Sequence, residues 1–292
     1  MDKRLKFALG LFIVHVGSLL VFKTGVSWAS LIIALILYQI RSLGVMAGQH
    51  RYFAHRSFKT SRPMEFLIGI MAILSAHGPI IDWMAHHKVH HRDTETPNDL
   101  HSPRVYGFWT AHVGWFFKRS FLEVEIPASL KKLMTPELRF LDKIHDLVFV
   151  VQAFALYFVG SYLEKNFPHW NTNGLQLLTV AFFIAYTLSF HVTFAVNTIC
   201  HMYGIRDFDV SDDSRNNFFI ALIGNGEGWH NNHHRFPKSA QSGFYWWQID
   251  GSYYFIRVLE LCRLVWSVNR VDPALIEAAS LKASKLSFTK SN

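Results

Sequence analysis

The sequence predicts an all-α integral membrane protein, with four transmembrane helices and a cytosolic histidine-rich helical cap. Three observations carry that expectation. The 292 residues are 50% hydrophobic and 17% charged, with mean hydropathy +0.15, too apolar for an ordinary soluble domain and too polar for a chain lying wholly in lipid. Four stretches approach the roughly 20 apolar residues needed to cross about 30 Å of hydrocarbon. The chain also holds 17 His, many of them in short groups within the polar segments.

Taken in order, the first stretch, 7–22, is short and carries His15. The second, 26–47, centres on Leu31 to Leu37, and its Arg41 lies near the inner end, where a long side chain can reach the interface. In the polar segment 48–144, the apolar run 66–81 is interrupted by His77, Gly78 and Pro79 and reads as interfacial or re-entrant. The third span, 145–163, is "HDLVFVVQAFALYFVGSYL", and the fourth, 174–200, opens with "GLQLLTVAFFIAYTL". A second polar segment, 201–292, ends in a tail, about 280–292, that reads as disordered. No cleavable signal pattern precedes the first span and no Pro-, Gly- or Ser-rich linker divides the chain, so 1–292 reads as one domain.

With the N-terminus inside, the outer connections 23–25 and 164–173 hold only Lys23 and Lys165 of the 29 Lys and Arg. Almost all the others fall on the inner side, as the positive-inside bias requires. The net charge of +8 therefore reports orientation first and contact with anionic headgroups second, and no nucleic-acid motif accompanies it. Both termini and both polar segments are expected on the cytoplasmic side.

The histidines gather in four places on that side: His50 and His55; His86, His87, His90 and His91; His201; and His230, His233 and His234. One such group could be a solvated patch, but four facing one compartment can converge on a single site. Positions i, i+3 and i+4 share a helix face, so His87, His90 and His91 can point together, as can His230, His233 and His234. His86 pairs equally well with His90. His50 and His55 stand about 140° apart on an α-helix and suit facing ligands only if the helix ends or loosens between them. Asn231 and Asn232 are poor helix formers, and Gly224, Gly226 and Gly228 signal a turn entering the last group.

Cys200 and Cys262 are too few for a disulfide framework or a Cys-based zinc site, so any metal is held by nitrogen or oxygen. Eight or nine clustered imidazoles exceed the three protein ligands of a zinc enzyme and suit two ions. Imidazole accepts Zn, Cu, Fe and Ni, so ligand type alone does not choose among them. The protease patterns HExxH and HxxEH are absent. A second metal beside an apolar substrate path points to two irons that use O2.

The ordered set "LGVMAGQHRYFAH", "DWMAHHKVHH", "NTICHMYG" and "GEGWHNNHH", over about residues 40 to 250, resembles the membrane-bound fatty acyl desaturases, the stearoyl-CoA desaturase type with its bacterial relatives. The resemblance implies a four-span protein whose cytosolic cap holds two irons and removes two hydrogens from a saturated acyl chain with O2 and two electrons; it also implies the Δ9 position. It assigns His50, His55, His87, His90, His91, His201, His230, His233 and His234 as ligands and leaves His86 outside the set. It gives Asn197 a metal-bound water and places Trp83 near the acyl chain. Asp93, His101 and Glu227 are candidates to partner the ligating imidazoles from behind. His15 and His191, inside spans, read as structural hydrogen-bonding groups, and His77, His112, His145 and His169 as non-ligands.

The acyl-CoA branch of that family carries an Arg-Asp pair before the second box; Ala85 and His86 stand there in this chain. An acyl-lipid substrate is therefore at least as well supported as acyl-CoA, with Arg104, Lys118 and Arg119 as candidates for a phosphate-bearing headgroup. The chain has neither the His-Pro-Gly-Gly of a fused b-type cytochrome nor a GxGxxG for nicotinamide or flavin. Electrons are expected from a separate protein, a ferredoxin or b-type cytochrome drawn to the basic cap. Two rivals share the histidines: a diiron hydroxylase or alkane monooxygenase, distinguished by its product, and a metal transporter, whose ligands belong at the membrane midplane.

Overall fold

The computed structural model describes residues 3–118 and 124–281. Among them, four helices are long and apolar enough to cross a membrane: Lys3–Thr24, Trp28–Ala54, Pro136–Asn166 and Gly174–Met202. They outrun the hydropathy-defined spans chiefly at the ends nearest the histidines, because the chain stays helical into the cap. At 1.5 Å per residue, the 31 residues of the third helix measure about 46 Å. Side-chain oxygens start these helices where the sequence supplies them: Ser27 forms a capping box with Ser30, and Thr135 and Asn173 accept from the first-turn amides of Leu138 and Gln176. The outward faces expose Phe12, Leu35, Phe154 and Phe158, a girdle suited to hydrocarbon rather than water.

Arg41 and the histidines inside the bundle are paired. Arg41 departs from the expectation that it reaches the interface. It is buried, donating to the Ala181 carbonyl at 2.8 Å and to Gln152, with its guanidinium 3.9 Å from the Tyr186 ring centre. Ala181 lies in a π-helical stretch, Leu178–Ile184, whose wider turns loosen the backbone ladder where the guanidinium docks. His15 and His191 bond to each other at 2.8 Å, His191 continues to His112 at 2.9 Å, and His112 to Thr198 at 3.0 Å. This chain ties the first and fourth spans to the cap.

The run 66–81 does not cross. It is divided between the helix Arg62–Leu74, at about 20 Å too short to span, and the second-box helix Ile80–Asp93, with a bend between them. Gly44 of the second span allows the first of these to approach closely, since a Cβ there would lie 2.0 Å from the Met71 carbonyl oxygen. Phe53, Ile68, Ile80, Leu138 and Ile256 form the core beneath the cap, and a two-residue antiparallel ladder, Lys59–Thr60 with Val265–Trp266, closes its edge. Of the tail read as disordered, Ser280 and Leu281 are ordered, Leu281 donating to the Asp207 carbonyl at 2.9 Å; 282–292 and Arg119 lie outside the described residues.

Candidate metal centre

Each histidine group reaches the site by a different local device. The second span changes from α-helix to π-helix at Gly44, the π-helix running over Gly44–Ala54, and the His55 amide donates to the His50 carbonyl at 3.1 Å. A bond from residue i+5 to residue i sets the two side chains about one turn apart, on one face. The α-helical offset is thus removed by the loosening that the spacing requires. In Ile80–Asp93, His87, His90 and His91 share a face as expected, while His86 lines a cavity beside them.

The last group forms a single short helix, His230–Arg235. Its asparagines serve the side opposite the histidines. Asn231 accepts from the amides of Asp207 and Phe208 at 2.9 and 2.8 Å, and Asn232 donates to the Ser242 carbonyl and to Gln248 at 2.7 and 2.9 Å. The preceding glycines are steric necessities. Gly226 has φ +99°, and a Cβ on Gly228 would fall 2.1 Å from the Ala221 backbone nitrogen.

The histidines meet in two clusters, each with ligand atoms within 4.8 Å of one another: His50, His55, His87, His91 and His233; and His90, His201, His230 and His234. Five of the nine are buried and the other four half-buried, and the clusters touch where the His91 and His234 rings lie 4.8 Å apart. Pairs of Nε2 atoms face each other at 3.0 Å (His50 and His233; His91 and His233; His201 and His230) and at 2.7 Å (His55 and His87).

The far ring nitrogens meet carboxylates. His50 Nδ1 is 2.6 Å from Glu227, His90 Nδ1 3.1 Å from Asp99, His201 Nδ1 2.9 Å from Glu95 and His234 Nδ1 2.8 Å from Asp212. An ionised carboxylate only accepts, so each of these rings carries its proton on Nδ1 and presents a lone pair at Nε2. Lone pairs converging in a buried space repel one another unless a cation sits between them. Among the described residues, Nε2 of His90 and of His234 has no hydrogen-bond partner. The donor set therefore fits two metal ions with nitrogen ligands.

Electrostatics agrees with the geometry. Burial first, and then the neighbouring imidazoles, push His55, His87, His91, His230 and His233 well below the ordinary histidine value. Burial takes His234 down to about 4 against the pull of Asp212. These rings are neutral near pH 7, the form a metal requires. His90 is the exception: burial opposes its charge, but Asp99 outweighs burial and raises it. Burial alone would raise the facing carboxyls, yet the imidazoles, with Arg51 beside Glu227, hold Glu95, Asp99, Asp212 and Glu227 below the usual range.

The remaining candidates fall as follows. Glu227 stands behind His50. His101 Nδ1 lies 3.2 Å from the other oxygen of Asp99, so that carboxylate bridges His90 and His101. Asp93 instead pairs with its neighbour Arg92. Sequence reading missed Glu95, Asp99 and Asp212; the acidic clusters after the second box and at 207–213 were the only signal, and they did not say which carboxylate turns inward. Trp83 stacks on His87, ring centres 4.7 Å apart. Arg104 is paired with Asp213, and Lys118 sits over the Tyr106 ring. A cavity of about 460 Å³ runs from Trp83, His87 and Asn197 between the spans, past Phe7, Phe149 and Phe190.

Residues 26–250 match the family described as fatty acid desaturase, more than half of the chain and all four histidine groups. The chain belongs to the fatty acid desaturase family. Members of this family are oxidoreductases acting in lipid metabolism, and the four apolar helices accord with a membrane enzyme of that kind. Among its relatives is Delta-9 acyl-lipid desaturase 1 of Arabidopsis thaliana, 35% identical over 252 residues, 83% of this chain and 76% of the relative. The sn-1 stearoyl-lipid 9-desaturase of Anabaena variabilis is 33% identical over 269 residues, 91% of this chain and 93% of the relative. Icosanoyl-CoA 5-desaturase of Limnanthes douglasii is 35% identical over 268 residues, 88% of this chain and 69% of the relative. Their names include both acyl-lipid and acyl-CoA substrates, at similar identity.

Proposed function

We propose that this desaturase introduces a cis double bond, at the Δ9 position, into a saturated acyl chain, using O2 and two external electrons at a histidine-ligated pair of iron ions. In balance, the chain –CH2–CH2–, O2, two electrons and two protons give –CH=CH– and two molecules of water. The observation that carries the reading is the pair of converging Nε2 clusters, one member of which, His87, also lines the largely apolar cavity between the spans. Two irons at this centre would supply the oxidising power that abstracts hydrogen from an unactivated carbon.

The chain's own residues do the rest. His50, His55, His87, His91 and His233 hold one ion, and His90, His201, His230 and His234 the other. Asn197, one helical turn before His201 and lining the cavity, adds a water-mediated contact. Glu227, Asp99, Glu95 and Asp212 fix the tautomers that leave Nε2 free, as carboxylates behind metal-bound histidines commonly do. Trp83, packed on His87, forms the wall against which the reacting carbons lie, and the tunnel's shape sets which carbons arrive there. Oriented approach of this kind is worth several powers of ten in rate.

The lysine and arginine bias supports cytoplasmic placement of the cap and both termini. Electrons arrive from a separate ferredoxin or b-type cytochrome. Arg92 and Arg235, each directly following a clustered histidine and each exposed, present positive charge that suits an acidic donor.

The test is lipid analysis by mass spectrometry of cells expressing the chain with a reductase system, beside His233→Ala, together with metal analysis of both proteins. New monounsaturated chains from the intact protein alone, with iron bound, are expected. Hydroxylated chains in their place would move the reaction to the hydroxylase class, and a folded protein that takes up no iron would refute the metal assignment.

A further inference from the structure

The cavity does more than end at the metal centre. Its walls include Leu9 and Ile13 of the first span and Val150 of the third. These side chains are also 45%, 40% and 48% exposed on the outer surface of the bundle. A residue that lines a cavity and faces lipid stands at an opening. Toward the metal end the wall carries the aromatic rings of Phe149, Phe190, Phe194 and Trp83, with Thr193, Asn197 and His87 among them. Near the cap, Lys6 reaches across from the first span to Asp146 of the third at 2.6 Å, and Lys3 reaches Asp82 of the second-box helix at 2.6 Å.

We propose that the cavity is entered sideways from the bilayer, through a slit between the first and third spans, and that the acyl chain it admits belongs to a membrane glycerolipid rather than to a soluble CoA thioester. The proposal rests on the desaturase reading of the cavity and names its substrate carrier. Two physical arguments support it. A lipid keeps its headgroup at the interface while its chain slides between the lips from hydrocarbon to hydrocarbon, so no apolar surface crosses water. A CoA thioester carries several phosphate charges, which need uncompensated cations at the mouth. Here Lys3 and Lys6, which line the mouth, are each matched by an aspartate, and Arg104 is matched by Asp213. The latch Lys6–Asp146 spans the slit at its polar end and leaves the apolar part below it open to lipid.

The experiment reads entry without needing turnover. The full chain is placed in nanodiscs of phosphatidylcholine and phosphatidylglycerol containing phosphatidylglycerol with a diazirine on its sn-1 stearoyl chain. After illumination the adducts are mapped by mass spectrometry. A parallel sample receives diazirine-stearoyl-CoA at the same concentration. Adducts on Trp83 and Phe149 are expected from the lipid probe, and about tenfold fewer from the CoA probe. Val150→Trp, and independently Leu9→Trp from the opposite lip, should each lower the Trp83 adduct about tenfold while leaving labelling of the outward-facing Phe154 unchanged. Equal labelling of Trp83 by the CoA probe would overturn the glycerolipid carrier, and plugged variants that label like the parent would overturn the portal. Trp83 adducts from lipid without any double bond in cells would leave the portal standing and count against the desaturation reading instead.

Discussion

Glu227→Gln separates the role of a carboxylate from that of its shape. Glu227 is buried between two partners: one oxygen accepts from Arg51 Nε at 3.0 Å, and the other lies 2.6 Å from His50 Nδ1. In the variant the amide oxygen stays with the guanidinium, the stronger donor, and the NH2 turns to His50. His50 must then accept at Nδ1, so its proton moves to Nε2, the atom that faces His233. The five-histidine cluster loses one lone pair. Losing a partner behind a ligating histidine costs about 10–100-fold in metal affinity, or about 1.4–2.7 kcal/mol. The fold should survive, because Arg51 keeps Asp250 at 2.9 Å and the Ala240 carbonyl at 2.7 Å. Glu227→Ala, which removes the partner outright, should cost more stability, about 3–5 kcal/mol. The assay is anaerobic Fe(II) titration of the metal-stripped protein, with metal counted per chain and melting followed in parallel. One tight and one weakened site are expected. Two sites of parental affinity in a stably folded Glu227→Gln would show that this carboxylate does not set the His50 tautomer.

His86→Ala should retain both ions while His87→Ala loses one, since His87 alone of the two belongs to a cluster; metal analysis of the two purified proteins decides it. Gly228→Ala puts a Cβ against the backbone of Ala221 and should destabilise by about 1–3 kcal/mol or more, displacing the third-box helix, so reduced melting temperature and metal content should appear together. The metal-free protein should weaken in acid. Its buried imidazoles titrate below the unfolded value of about 6.5, so the unfolded chain takes protons first as pH falls. Stability is therefore full above about pH 6.5 and declines below it toward the folded value of His234, about 4. A metal-free stability that is flat or rises as pH falls through that window would contradict the burial of neutral histidines.

The four spans and the three histidine boxes were legible because each is written in local chemistry: windows of apolar residues, and imidazoles at helical spacing. Asn231 and Asn232, poor helix formers by sequence, sit within a helix all the same, because they anchor its back through side-chain hydrogen bonds. Arg41 shows where local reasoning stops. A cation near a helix end is expected to reach water, but the Ala181 carbonyl and the Tyr186 ring, some 140 residues away, satisfy it inside the bundle. Likewise nothing in the spacing chose Glu95 and Asp99 over Asp93, because which carboxylate turns inward depends on a chain reversal, with Glu95 at φ +63°, just beyond the second-box helix, while Asp212 reaches His234 from a distant loop.

Composition and periodicity were thus enough to establish the fold class, the side of the membrane to expect, and which imidazoles can act together. The division of those imidazoles into sets of five and four required the fold. Every multi-histidine group except the first contributes to both clusters, and the first joins its cluster only through a π-helical turn. A helix face states which side chains point the same way. Which ion each one meets is set by where the backbones of distant segments cross, and that is a property of packing rather than of spacing.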